Sequence, residues 1–170
     1  MKTYDDAFDF VVGAEGGYTD DPHDRGNWTS GHVGEGELKG TKYGISAMSF
    51  PELDIKNLTK DRAKDIYKVH YWEATSCDKV EYPKAVVMFD CSVNQGVFRA
   101  KKFAQEAVNV VVDGIIGPNT LKALQGADNV EFVTKFLKER EDHYRSLSSF
   151  SRYGKGWLNR LEHVRDEALG

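Results

Sequence analysis

The chain has 170 residues, 40% of them apolar and 29% charged, and a formal charge of -4 at pH 7. That length fills one hydrophobic core and is too short for two independent ones. The acidic balance, with no basic block and no arginine–aromatic alternation, argues against nucleic acid as a partner. No apolar stretch approaches the roughly 20 residues of a membrane-spanning helix, so membrane insertion is not expected either.

The amino end, MKTYDDAFDF, places acids where a secretory signal has a basic region followed by an apolar run. The reading is therefore a chain without a signal peptide, made in a cytoplasm and admitted to any outside target by something else. Cys77 and Cys91 are spaced unlike a zinc clip and read as reduced and buried. Two Asn-x-Thr sequons, at Asn27 and Asn57, have no meaning without an export route.

In chain order, residues 3–15 read as a helix. Thr3 and Asp6 form a candidate capping box, and Phe8, Val11, Val12 and Glu15 lie on or near one face. Gly16-Gly17 is expected to end it. From Tyr18 to about Lys42 the sequence is rich in Gly, Asp, Asn, Ser and Thr, which predicts a lobe of loops with a short hairpin. A helix capped by Thr59 follows, running to Trp72 with Ala63, Ile66, Tyr67 and His70 inward. Pro83 opens the next, which ends at Gly96. Further helices are predicted over 98–109, from the Gly-Pro turn at 117–118 through Leu124, from the Asp128 cap to Leu147, and over 156–168. The fold class is thus mainly α, a helical bundle with one small irregular, hairpin-bearing lobe over 16–45. The whole is expected to be a single compact, monomeric unit, with 98–170 packed on 1–97.

The informative segment is residues 15–29, EGGYTDDPHDRGNWT. Glu15 stands where an apolar helix meets open loop. Partial burial there disfavours the charged form and raises the pKa, as a general acid requires. Asp20, Asp21 and Asp24 follow in a more solvated loop. Two carboxylates in contrasting environments are what glycosidic cleavage uses. The aspartates match neither a calcium-loop spacing nor a histidine-rich pattern, so no metal and no cofactor are expected.

The segment resembles the signature of glycoside hydrolase family 108, N-acetylmuramidase-like enzymes found largely as phage endolysins. That signature reads E-G-G-Y, two residues, D-P-x-D-x-G-G-x-T, two residues, G-I. The chain supplies Glu15-Gly16-Gly17-Tyr18 and Asp21-Pro22-His23-Asp24-Arg25-Gly26, then resumes at Thr41-Lys42-Tyr43-Gly44-Ile45. Tyr71-Trp72, Phe89-Asp90 with Asn94-Gln95-Gly96, Val112 to Thr120, and Gly156-Trp157-Leu158-Asn159-Arg160 are similar to later elements of the family, in order.

The resemblance implies a lysozyme-like fold and an enzyme that hydrolyses the β-1,4 bond between N-acetylmuramic acid and N-acetylglucosamine. It also implies a C-terminal peptidoglycan-binding-like portion, and a partner pore of the holin type that lets the enzyme out of the host cytoplasm to the wall. Catalytic roles carry over to Glu15 as acid, with Asp24, nine residues later, and Thr41 holding water on the opposite face of the sugar. Tyr43, Asp90 and Asn94 are candidate substrate contacts. Where the family has a second glycine, this chain has Asn27 and an insertion running to Gly40. That leaves Thr29 as a rival to Thr41, and Glu35 or Glu37 as rivals to Asp24. A lytic transglycosylase, a chitinase-like hydrolase or a non-catalytic wall-binding module are the alternatives.

Overall fold

The computed structural model describes residues 1–13 and 16–170. Among them the fold is mainly α, with seven α-helices and one two-stranded antiparallel hairpin, as the sequence predicts. The chain divides into two compact units, Phe8–Tyr67 and Met1–Ala7 with Lys68–Gly170.

Helix α1 (Tyr4–Val11) opens with the Thr3 N–H donating to Asp6 Oδ2 at 2.8 Å, one half of the expected capping box. It stops at Val11 rather than at residue 15. Gly13 turns left-handed (φ +49°), and its N–H and that of Val12 both donate to the Phe8 carbonyl. A Cβ at Gly13 would come within 2.6 Å of the Asp9 carbonyl oxygen, so this exit depends on glycine.

In the unit Phe8–Tyr67, strands β1 (Thr41–Lys42) and β2 (Ile45–Ser46) pair antiparallel, Thr41 opposite Ser46 and Lys42 opposite Ile45. Tyr43 and Gly44 between them both have positive φ, the two-residue turn that suits the twist of a hairpin. The Tyr67 hydroxyl donates to the Tyr43 carbonyl at 2.8 Å and holds the turn. Helix α2 (Lys60–Tyr67) is capped by Thr59, whose Oγ1 accepts from the Arg62 N–H at 3.1 Å. It buries Ala63, Ile66 and Tyr67, the last edge-on to Phe8.

In the other unit the chain continues as a π-helical turn, Lys68–Glu73. Wider turns rotate the side-chain phase. His70, expected to face inward, is therefore exposed, while Trp72 is buried against Tyr4 and Phe89. Helix α3 (Tyr82–Gln95), with Pro83 in its first turn, is buried without a break from Lys84 to Ser92. A helix covered on all sides is the centre of its bundle. It packs against α4 (Val97–Ala107), α6 (Asn129–Ser146) and α7 (Phe150–Leu169). Gly96, at φ +98°, lets α3 break directly into α4.

Buried Gln105 of α4 organises the loop that follows. Its Oε1 accepts from the Asp113 and Gly114 N–H groups, and its Nε2 donates to Asp113 Oδ1 and the Ile115 carbonyl. Helix α5 (Pro118–Gly126) follows the Gly-Pro turn, and Asp128 caps α6 by accepting from the Glu131 N–H at 3.0 Å. Helix α7 begins at Phe150, not near 156. Gly154 lies inside the helix, buried beneath the Phe150 ring, where a Cβ would lie 2.6 Å from the ring edge. Both cysteines are free and buried, and burial pushes each thiol up to about 12.

Candidate functional site

The loop lobe is assembled around one buried residue. Asn27, 1% exposed, uses every polar group it has. Its N–H donates to the Asp24 carbonyl (3.1 Å) and its Nδ2 to the Asp21 carbonyl (3.1 Å). Its own carbonyl accepts from the Lys39 and Gly40 N–H groups, and its Oδ1 accepts from the Thr41 hydroxyl at 2.6 Å. Asn27 thereby ties the aspartate loop to the strand that carries Thr41. Sequence reasoning missed it, and the only signal was its place at the interruption of the motif.

Asp24 caps a 3-10 turn, Arg25–Asn27, its Oδ1 accepting from the Gly26 N–H at 2.9 Å. The residue is exposed, and its other carboxyl oxygen has no partner among the described residues. Beside it, the His23 backbone N–H and then the His23 ring hold the Asp21 carboxyl below the usual carboxylate range.

Thr41 is half-buried, and its backbone exchanges two hydrogen bonds with Thr19, at 2.8 and 2.9 Å. Because Asn27 Nδ2 is a donor occupied by Asp21, the Asn27 group facing Thr41 is the acceptor Oδ1. The Thr41 hydroxyl hydrogen is committed there, and its oxygen lone pairs remain available as acceptors. Tyr43 follows in the turn, half-buried, with the Lys42 ammonium 5.7 Å from its ring centre.

The insertion is a hydrogen-bonded excursion rather than a free loop. Trp28 bridges Leu38, the Thr29 N–H donates to the Glu37 carbonyl, and Thr29 Oγ1 accepts the Glu37 N–H at 3.0 Å. The Trp28 indole donates to the Pro22 carbonyl at 2.8 Å. Thr29 is thus placed as an internal tie of the excursion. The carboxylates of Glu35 and Glu37 are exposed.

The structure brings Asp24, Thr41 and Tyr43 into one lobe. Glu15 lies outside the described residues. Asp90 and Asn94 belong to the other unit, on α3. Asp90 is 0% exposed. Arg140 Nη1 donates to its Oδ2 at 2.7 Å, and the Arg160 Nε and Nη2 donate to its Oδ1. Read from sequence as a sugar contact, it presents no surface and anchors three helices. Asn94 is exposed, its Nδ2 donating to the Asp90 carbonyl at 2.9 Å. Among the described residues no group of three His, Cys, Asp or Glu is placed to hold a metal ion. No helix among them is long and apolar enough to cross a membrane.

Two family models match. Residues 8–96 match glycosyl hydrolase 108, and residues 99–162 match a predicted peptidoglycan domain. The second match begins three residues after the first ends, yet both run through the α3-centred bundle. Among curated proteins none matches the chain. Among solved structures the chain is similar to SagA of Brucella abortus, with 30% identity and a TM-score of 0.80, over 98% of this chain and 93% of that one.

Proposed function

Since the chain belongs to the glycosyl hydrolase 108 family and is a glycosidase, we propose that it is an N-acetylmuramidase. It hydrolyses the β-1,4 bond from N-acetylmuramic acid to N-acetylglucosamine in peptidoglycan, with inversion at the anomeric carbon. Glu15 is the general acid and Asp24 the base. Thr41 is the positioning residue for water.

The observation that carries this reading is the chain of hydrogen bonds through Asn27, which joins Asp24 and Thr41 and leaves both with an unused acceptor. A water molecule donating one hydrogen to Asp24 and the other to Thr41 Oγ1 has its oxygen lone pair directed away from both. In the reaction Glu15 protonates the glycosidic oxygen as its bond to the muramic C1 breaks. The water oxygen bonds to C1 from the opposite face, and its proton passes to Asp24. The ring of Tyr43 is the proposed sugar contact of this lobe. The similarity of residues 99–162 to a predicted peptidoglycan domain supports the choice of polymer. The enzyme acts as a monomer and stays in the cytoplasm of its host until a pore admits it to the wall.

The test is digestion of purified Gram-negative peptidoglycan by the wild type and by Glu15→Gln. Reducing muramic acid ends, released first as the α-anomer and lost in the variant, are expected. Anhydromuramic ends would make the enzyme a lytic transglycosylase. Cleavage confined to chitin oligomers would reassign the substrate, and cleavage by neither protein would leave a wall-binding module.

A further inference from the structure

The α3-centred bundle carries a second concave surface. Two adjoining cavities, of about 560 and 380 Å³, share Gln95, Arg99 and His143 in their walls and form one groove along the α3–α4 junction. Phe98 and Lys102 line one end, and Trp157 lines the other.

The chemistry of this groove differs from that of the molecule as a whole. In a chain of net charge -4, its walls hold Arg99 and Lys102, and neither makes an ion pair or side-chain hydrogen bond among the described residues. The Lys102 ammonium lies 5.5 Å from the Phe98 ring centre, and that ring is 60% exposed. The only acidic residue in the walls is Glu106. At the other end Trp157 is stacked on Tyr144, with ring centres 4.7 Å apart. His143 between them is held below its usual range by burial and then by Arg99.

Gln95 adds a further feature. Its Oε1 accepts from Arg140 Nε at 2.7 Å, and a guanidinium has no acceptor, so the amide cannot be turned around. Its Nε2 is thereby left as a buried donor without a partner among the described residues. Free cations, apolar ring walls and an unmatched donor in one cleft suit a ligand with carboxylates, amide carbonyls and small apolar groups.

We propose that the groove binds the peptide stem of peptidoglycan. Arg99 and Lys102 take its free carboxylates, and the Phe98 and Trp157 rings flank its alkyl groups. This rests on the peptidoglycan reading above and adds to it a peptide-reading site on the bundle. The enzyme would then hold the wall by its peptides while cutting its sugars.

The test uses full-length Glu15→Gln, which leaves the ligand intact, and the same protein carrying Arg99→Ala and Lys102→Ala. Each is titrated with a muramoyl tripeptide bearing free carboxylates, with its fully amidated form, and with chitotetraose. Unchanged thermal unfolding verifies the fold. We expect the free-acid peptide to bind Glu15→Gln and to lose about tenfold or more in affinity, both on amidation and on removal of the two cations. Chitotetraose should bind both proteins alike.

Equal peptide affinity in the two proteins, no peptide binding at all, or a parallel loss for chitotetraose would overturn the proposal. So would cation-dependent binding to phosphatidylglycerol vesicles in place of the peptide, which would make the groove a lipid-headgroup site. Peptide-free glycan strands separate this result from the muramidase reading. If the wild type cuts them and the groove binds nothing, only the groove fails. If the groove binds and no strand is cut, only the muramidase reading fails.

Discussion

Replacing Asp90 by Asn tests whether this residue is an internal anchor or a sugar contact. The Asp90 and Arg140 side chains are both 0% exposed, so their pairing is not screened by water. Arg160 is 32% exposed, so water can solvate it when Asp90 loses its charge, which makes its share small. Arg140 has no such recourse, because its remaining partners, Gln95 Oε1 and the Tyr144 hydroxyl, are neutral. Breaking a buried pair from one side costs about 3–5 kcal/mol. That is a large fraction of the ~5–15 kcal/mol by which domains of this size are stable. With a urea dependence of ~2 kcal/mol per molar, the unfolding midpoint should fall by about 1.5–2.5 M. Removing both charges, in Asp90→Asn with Arg140→Met, should recover much of the loss. Activity per folded molecule should be unchanged in Asp90→Asn. A midpoint within about 0.5 M of the wild type, or a raised KM with unaltered stability, would refute the anchoring role.

Thr41→Val removes the proposed acceptor for water and strands a buried Asn27 oxygen. The expected result is a kcat about 100-fold lower and a stability loss of ~1–3 kcal/mol, with activity restored in Thr41→Ser and retained in Thr29→Val. Gly40→Ala should be worse for the lobe. Gly40 has φ +89°, and a Cβ there would lie 2.4 Å from the Thr19 carbonyl oxygen. A loss of ~2 kcal/mol or more and collapse of activity are expected on calorimetry and turnover.

Glu139 lies beside Glu106, and a side-chain hydrogen bond from that carboxyl, then burial, raises its pKa to about 7 from 4.5. The folded state therefore holds a proton that the unfolded chain releases, so this pair's contribution to stability falls as pH rises from about 4.5 to about 7. In Glu139→Gln that slope should vanish, and Tm above neutrality should exceed that of the wild type. Parallel Tm–pH curves for the two proteins would show that the pair is not coupled to folding.

What the sequence disclosed follows from locality. Thr59, Pro83 and Asp128 announce helix starts because a cap acts on neighbours within one turn. The stripes of α4 and α6 repeat with the helical period, so Ala100, Phe103, Phe136 and Leu137 were legible as core. The π-helical turn was not, since no residue type encodes it, and it moved His70 outward. The early start of α7 at Phe150 was not legible either. Gly154 serves a close approach to Phe150 inside a helix, a need visible only in three dimensions. Asp90 is the sharpest case. An aspartate on an apolar helix reads as functional, but the arginines that account for it stand 50 and 70 residues away. In the candidate site Asp24 and Thr41 are proposed from the motif, whereas Asn27 stood only as a break in it.

The Asn27 hub bears on how this enzyme is to be produced. Asn27 is also the acceptor residue of an Asn-Trp-Thr sequon. In a eukaryotic secretory host, oligosaccharyl transfer to its Nδ2 takes place on the nascent chain, before the lobe closes. That nitrogen must then reach the Asp21 carbonyl from a position almost sealed from solvent, and a glycan there leaves no room for Thr41 to dock. Material secreted from yeast or mammalian cells should therefore be poorly folded and inactive, while bacterial cytoplasmic expression yields the working enzyme. The usual remedy, Asn27→Gln, would remove the glycan and the hub together, whereas Thr29→Ala erases the sequon and costs only the local tie to Glu37.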